Sequence, residues 1–306
     1  MADWDVVIIG GGAAGLGAAA MAAGAGLSCL VLDRMGGGGE LMNLGPLHDL
    51  GEALTGPDLM ARLLEEATTA GAELGVAEVI DLAPEPAGWR VATDDEAHTA
   101  RAVILAIGLA PGTLGIDGEE NFEGRGLSHC AACDGPLFRG EPVAVAGDDR
   151  WARLEARELA AIASSVTLVT QSGLTQSGPT QSSPGSEDPI AIQGFTVIQG
   201  RIVALEGTAG LEAVMVEPVA RAPQRLPTQA VFVQSARRPA LGFAPAALAR
   251  DAEGRLVTDA ALQCSMPRLF AAGDARAGAS RTLAAAIADG RRAAASARDA
   301  LAPPHG

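Results

Sequence analysis

Cys130 and Cys133 stand two alanines apart, in the run Ser128-His129-Cys130-Ala131-Ala132-Cys133-Asp134-Gly135. On a helical turn this spacing brings two sulfurs within disulfide reach, so the pair can cycle between dithiol and disulfide. The other chemistry open to a C-x-x-C is metal binding, and a structural zinc takes four ligands. The chain's remaining cysteines are Cys29 and Cys264, and neither sits in a second C-x-x-C. His129 adjoins the first sulfur, and an imidazole can act as a base near neutral pH.

A second group of residues points to nucleotide chemistry. Gly10-Gly11-Gly12-Ala13-Ala14-Gly15 follows the apolar run Val6–Ile9 and opens an Ala-rich stretch to about Ala25. Ser28–Leu32 then reads as a strand closed by Asp33. Strand, G-x-G-x-x-G turn, helix and strand make a βαβ dinucleotide unit. Gly10 permits the tight turn, Gly12 lets a diphosphate approach the backbone, and Gly15 lets helix and strand pack closely. The diphosphate sits at the helix N-terminus, and Asp33 is placed to accept from a ribose.

Further elements repeat the theme. Val143–Val145 stops at Gly147, a helix is expected from about Ala152 to Ile162, and Val166–Val169 follows: a second βαβ unit. Ala102–Ile107 ends in Gly108, and Leu269–Ala272 ends in Gly273-Asp274. Short alternating strands are expected over 195–203, 212–218 and 230–234. Residues 170–184 read TQSGL TQSGP TQSSP, a Ser/Gln/Pro-rich surface loop with nothing to bury.

Composition narrows the partners. A chain of 306 residues with 48% hydrophobic content is expected to build about two domains with real cores. Aromatics are 3%, without tyrosine, which argues against stacking platforms for single-stranded nucleic acid. All 22 basic residues are Arg against 37 acidic ones, and the net charge of −15 repels nucleic acid and anionic membranes. The charge-free run 6–32 is long enough to span a bilayer, but its glycine triplet and its Asp33-Arg34 end fit a buried βαβ unit instead. Four cysteines do not make a disulfide scaffold, so a reducing, cytoplasmic setting is expected.

Taken together, the chain resembles the low-molecular-weight thioredoxin reductases, FAD-dependent pyridine nucleotide-disulfide oxidoreductases, over nearly its whole length. The resemblance is carried by GGGAAG (10–15), GGEL (38–41), AIGLAP (106–111), CAACDG (130–135), RGEPVAVAG (139–147) and FAAGD (270–274). It implies an α/β fold of two Rossmann-like, three-layer nucleotide-binding domains, the second inserted into the first. The FAD domain is expected at 1–112 and 242–306. The inserted, NADPH-domain-like redox domain is expected at 113–241, carrying the C-x-x-C and a flexible loop 170–189. Gly115–Gly118 and Pro239–Gly242 match the family's paired crossovers, and the family's homodimeric assembly is implied.

The resemblance also assigns residues. The FAD site is expected at Gly10, Gly12, Ala13, Ala14, Gly15, Asp33, Arg34, Gly39, Glu40, Leu41, Asp49, Ala106, Gly108, Gly273, Asp274, Arg281, Thr282 and Leu283. Asp274 matches the aspartate that binds the ribityl chain. Glu40 stands where the family has Gln, Asp49 where it has Asn, and Arg281-Thr282 where it has Arg-Gln. At the dithiol, Cys133 is the flavin-facing sulfur, Cys130 the exchange thiol and Asp134 the acid–base group, with His129 as an added base.

The chain departs from the family at the second nucleotide loop. The family's GxGxxA reads Gly147-Asp148-Asp149-Arg150-Trp151-Ala152 here. One carboxylate facing a phosphate at ~5 Å costs roughly 3 kcal/mol at an effective dielectric of ~20. The arginines that read the 2′-phosphate are replaced by Thr170-Gln171-Ser172. The expected function is therefore electron exchange between FAD, the Cys130–Cys133 pair and an external dithiol or disulfide, without conventional NADPH binding. Dithiol oxidation with oxygen is the first form of this, with a small dithiol or a thioredoxin-like protein as thiol partner. Thioredoxin reduction fed by ferredoxin or another flavoprotein is the second, with Arg237-Arg238 and Arg291-Arg292 as candidate docking charges. A non-catalytic flavin-binding redox sensor is the third.

Overall fold

The computed structural model describes residues 3–44, 46–47, 54–171, 194–219 and 221–302. Asp49 and the repeat loop beyond Gln171 lie outside the described residues. The chain divides into two units, Met1–Ala110 with Arg238–Gly306, and Pro111–Arg237 between them. The crossings fall a few residues before those expected at 112 and 241. Ala110 N–H bonds the Arg238 carbonyl within the first unit, and Thr113 N–H bonds the Ser235 carbonyl within the second.

The first unit begins with β1 (Trp4–Ile9), α1 (Ala13–Gly24), β2 (Cys29–Asp33) and a small hairpin of β3 (Pro46–Leu47) and β4 (Leu54–Thr55). Then come α2 (Gly56–Thr69), β5 (Glu73–Val76), β6 (Val79–Glu85), β7 (Gly88–Thr93) and β8 (Ala97–Leu105). Thr55 and Asp58 start α2 with a reciprocal capping box, and Pro57 lies in its first turn. The inserted unit holds β9 (Leu127–Ser128), α3 (Ala131–Asp134), β10 (Pro142–Ala146), α4 (Arg150–Ala160) and β11 (Ser165–Thr170). It continues with β12 (Thr196–Glu206), β13 (Ala213–Pro218), β14 (Gln224–Pro227) and β15 (Ala230–Val233). The chain then returns to complete the first unit with β16 (Leu269–Ala271) and α5 (Leu283–Leu301).

Both sheets are parallel where the nucleotide signature lies. In the first, β5, β2, β1 and β8 run parallel in that order. The far edge of β8 is paired first by β7, antiparallel, and then by β16, parallel. The second sheet runs β14-β13-β12-β11-β10-β15-β9, with β13 and β14 joined as an antiparallel extension. Fully apolar runs such as Val6–Ile8 and Ala102–Leu105 suit strands covered on both faces, and all of these residues are buried.

Small residues set the layer spacing. A Cβ on Gly290 of α5 would lie 1.9 Å from the Ala14 carbonyl oxygen of α1, so these helices meet at backbone contact. The uncharged stretch 6–32 is β1, α1 and β2, a buried βαβ unit. Among the described residues no helix is long and apolar enough to cross a membrane.

Candidate active site

In the first unit the G-x-G-x-x-G turn is shaped by steric need. Gly10 has φ +103°, and a Cβ there would strike the Ala106 carbonyl oxygen at 2.5 Å. A Cβ on Gly15 would lie 1.8 Å from the Gly10 carbonyl oxygen. Gly12 differs: a Cβ there would meet nothing within 4 Å. Gly12 is also the N-cap of α1 and supplies no side-chain cap. The helix thus starts with open space in front of amide donors that no side chain claims, and an anion of ligand origin suits that cradle.

Asp33 is already engaged. It accepts from the Gly11 N–H at 2.8 Å, the Met35 N–H at 2.8 Å and the Gly37 N–H at 3.0 Å. Two carboxylate oxygens offer about four acceptor sites, so one remains for a ribose hydroxyl while the others hold the glycine loop. Arg34 is exposed; Gly39, Glu40 and Leu41 form a short 3₁₀ turn with Leu41 buried. Ala106 is buried, and Gly108 has φ +59°. Gly273, at φ +69°, begins the turn that presents Asp274. Arg281 Nε lies 3.7 Å from Asp274 Oδ2, and Arg281 holds φ +56°, a left-handed geometry unusual for a side-chain-bearing residue. Thr282 caps α5 by accepting from the Ala285 N–H at 3.3 Å, which sets Leu283 as its first residue. A cradle open to an anion, a free acceptor site on Asp33 and the Asp274 turn fit FAD.

In the inserted unit Cys130 and Cys133 are joined as a disulfide, with Cα atoms 5.4 Å apart. Cys130 is the N-cap of α3, and its sulfur accepts from the Cys133 N–H at 3.1 Å. Cys133 is exposed and Cys130 half-buried. Asp134 Oδ2 accepts the Ser128 hydroxyl at 2.7 Å, and the same Ser128 oxygen accepts the Cys130 N–H at 3.2 Å. His129 turns its ring elsewhere: Nε2 is 3.0 Å from Glu123 Oε1 and Nδ1 is 3.4 Å from the Val233 carbonyl. Cys29 and Cys264 are buried in the first unit, their thiols pushed up to about 12 by burial, so they are chemically quiet. Among the described residues no group of three or more His, Cys, Asp or Glu side chains could hold a metal.

Three residues escaped the motif reading. Ser128 is 4% exposed and ties Asp134 to the Cys130 backbone. Glu155 Oε1 accepts the Ala131 N–H at 3.2 Å. Gln234, 6% exposed, donates to the His129 carbonyl at 3.0 Å. A serine two places before the first cysteine, and an acid on the apolar face of α4, were the available signals.

The second cradle is built unlike the first. Asp149 is the N-cap of α4, and its Oδ1 accepts the Ala152 N–H at 3.0 Å. Asp148 Oδ1 accepts the Thr170 hydroxyl at 2.6 Å. Where the first donors of α1 have no side-chain cap, α4 turns a carboxylate of its own chain onto its Ala152 N–H.

A family model of pyridine nucleotide-disulphide oxidoreductases matches residues 4–290. The chain is 33% identical over 297 residues to a thioredoxin reductase of Treponema pallidum (strain Nichols), covering 95% of both. Its fold is similar to Lactococcus lactis thioredoxin reductase in the FR conformation, with TM-score 0.87 and 26% identity over 97% of this chain and 99% of that one. It is also similar to a ferredoxin-flavin thioredoxin reductase from Clostridium acetobutylicum, with TM-score 0.53 and 26% identity over 97% and 98% of the two chains. The chain belongs to the pyridine nucleotide-disulphide oxidoreductase family. It is a FAD-dependent thiol–disulfide oxidoreductase of the thioredoxin reductase type.

Proposed function

We propose that this enzyme oxidises a dithiol at Cys130–Cys133 and passes the electrons through FAD to oxygen, without using a nicotinamide coenzyme. The observation that carries this reading is the Asp149 carboxylate on the start of α4, beside Asp148 bonded to Thr170. A diphosphate arriving there meets two negative charges and a helix terminus already hydrogen-bonded.

Bound FAD supplies a two-electron exchange partner for the pair. Gly12, the start of α1, Asp33 and Asp274 would hold it, with Arg281 beside Asp274. The remaining chemistry belongs to side chains of this chain. A substrate thiolate attacks the disulfide, the S–S bond breaks, and a mixed disulfide forms. The second substrate thiol closes its own disulfide and releases the pair as thiol and thiolate. Cys130 is the exchange thiol because the Cys133 N–H stabilises negative charge on its sulfur. Asp134, held next to it through Ser128, moves the proton. His129 acts on Glu123 and the loop, since both ring nitrogens point at oxygen partners.

The second reading is reduction of thioredoxin with electrons from ferredoxin, favoured by the likeness to the clostridial ferredoxin-flavin enzyme. Anaerobic stopped-flow reduction separates the cases. A small dithiol is expected to bleach the flavin and NADPH or NADH to leave it yellow, and steady-state oxygen uptake is expected with dithiol as sole donor. D148G/D149G is expected to gain pyridine-nucleotide binding by roughly a hundredfold, from the charge removed. Fast bleaching of the unaltered enzyme by NADPH overturns the proposal. Bleaching by reduced ferredoxin with negligible dithiol-driven oxygen uptake selects the second reading.

A further inference from the structure

We propose that Glu155 is a proton-linked positioning residue of the dithiol centre, taking up a proton when the Cys130–Cys133 bond opens. This rests on the reading of that pair as the reacting sulfurs.

Glu155 lies on α4 among residues that face the core. Ala152, Ala156 and Leu159, at the neighbouring helical positions, are all buried, and so is Ala131 of α3, which joins the same apolar cluster. One carboxyl oxygen, Oε1, accepts the Ala131 N–H at 3.2 Å. The other, Oε2, is closed to solvent and has no hydrogen-bond partner. A buried oxygen lacking a donor makes the ionised carboxylate costly, so Glu155 binds a proton more readily than an exposed acid yet is still partly ionised near neutral pH while the disulfide is closed. The amide it holds is one peptide bond from Cys130. A charge on Glu155 and a charge on the Cys130 thiolate therefore disfavour each other through an interior of low dielectric.

The surroundings push the same way. Burial raises the Glu155 carboxyl to about 7, with Glu158 and Asp149 of the same helix adding to the rise. The Ala131 N–H opposes it, and the nearby Gln234 amide, whose Nε2 donates to the His129 carbonyl and not to Glu155, adds only a weaker opposing pull. The one acid on α3 is Asp134, which is occupied by Ser128. The packed strands β10 and β11 carry no titratable side chain. Beyond β15, Arg237 is directed onto Gln234 Oε1 at 3.2 Å.

The step balances without a further reagent. The external dithiol gives two electrons and two protons. The S–S bond breaks, one proton stays on one sulfur, the other sulfur remains thiolate, and Glu155 takes the second proton. Glu155 thus neutralises the charge that reduction creates beside it.

The test uses the holoenzyme in anaerobic dithiothreitol redox buffers, with the Cys130–Cys133 state read by alkylation and mass and the flavin state read in parallel by absorbance, so reduction of the pair is scored apart from reduction of the flavin and no nicotinamide is needed. Glu155→Gln keeps an oxygen acceptor for Ala131 but cannot titrate. From about pH 6 to about pH 9, the wild-type reduction equilibrium constant is expected to fall roughly tenfold or more relative to E155Q. A ratio constant within about twofold over that range overturns the proposal. The unaltered enzyme gives an independent reading. Its reduction-induced infrared difference spectrum at neutral pH is expected to gain a protonated-carboxyl band that shifts on ¹³C-glutamate labelling. No such band also overturns it. Thiol titration that succeeds while dithiol fails to bleach the flavin would sink the proposed oxidase and leave Glu155 standing.

Discussion

Ser128 makes two contacts that matter through a single oxygen. It donates to Asp134 and accepts from Cys130, so one hydroxyl fixes the acid–base group relative to the exchange sulfur. Hydrogen bonds to charged groups are worth about 1.5–3 kcal/mol, and losing this one also strands a backbone donor. Ser128→Ala is expected to lower the rate of dithiol attack roughly tenfold to a hundredfold. Rapid-quench alkylation checks this, and an unchanged rate would show that Asp134 needs no such anchor. Glu155 carries a pH signature in stability as well. Its carboxyl rises from 4.5 to about 7 on folding. Below 4.5 both folded and unfolded chains hold the proton, so nothing is lost there. As pH rises toward 7 the unfolded chain ionises first, and the folded state loses roughly 3 kcal/mol. E155Q lacks that loss, so its stability advantage over wild type is expected to widen across this window and then level off. Urea midpoints at several pH values check it. A gap that stays constant would mean that Glu155 titrates as an ordinary exposed acid.

At the scale of elements, the two βαβ units are near-copies that end differently. The start of α1 is bare and the start of α4 is capped by its own aspartate. The first was legible in the sequence, because Gly10 and Gly15 sit where any side chain would strike backbone and Gly12 sits where the space in front is open. The second was legible only as a loss of glycine. That Asp149 folds back onto the Ala152 N–H, and Asp148 reaches across to Thr170, needed the neighbouring strand in place. The Ser128 and Glu155 contacts were hidden for a related reason. Glu155 meets an amide 24 residues away, and no local period announces such a partner. The bare start of α1 gives a clean test. Gly12 has an extended backbone at φ −80° and ψ −169°, and its added Cβ would touch no protein atom. Gly12→Ala is expected to leave apoprotein stability within about 0.5 kcal/mol while lowering FAD affinity at least roughly tenfold. Flavin content per chain and thermal melts of the apoprotein read the two separately. Full flavin retention would mean that the diphosphate lies elsewhere.

Over the whole molecule, the sequence order βαβ, inserted βαβ and a closing strand-helix was enough to place both sheets. It missed how β8 is completed. Ala102–Ile107 was expected as a short strand, whereas the strand begins at Ala97 and its first half pairs with β7. Polar residues such as His98 and Thr99 in that half masked it. Charge acts at the same scale. The chain is −15, and three of the four arginines offered as docking charges have partners within it. Arg291 pairs with Glu66 at 3.2 Å, Arg292 donates to the Ala260 carbonyl, and Arg237 bonds Gln234. An acidic protein donor therefore meets net repulsion, which salt relieves, while a neutral dithiol feels no such field. The rate with dithiothreitol is expected to change less than about twofold from about 50 to about 500 mM salt. Any rate with an acidic ferredoxin is expected to rise over the same range. A ferredoxin rate that falls with salt would reveal a steering patch of positive charge. It would turn the reading from oxygen toward ferredoxin as the partner at the flavin.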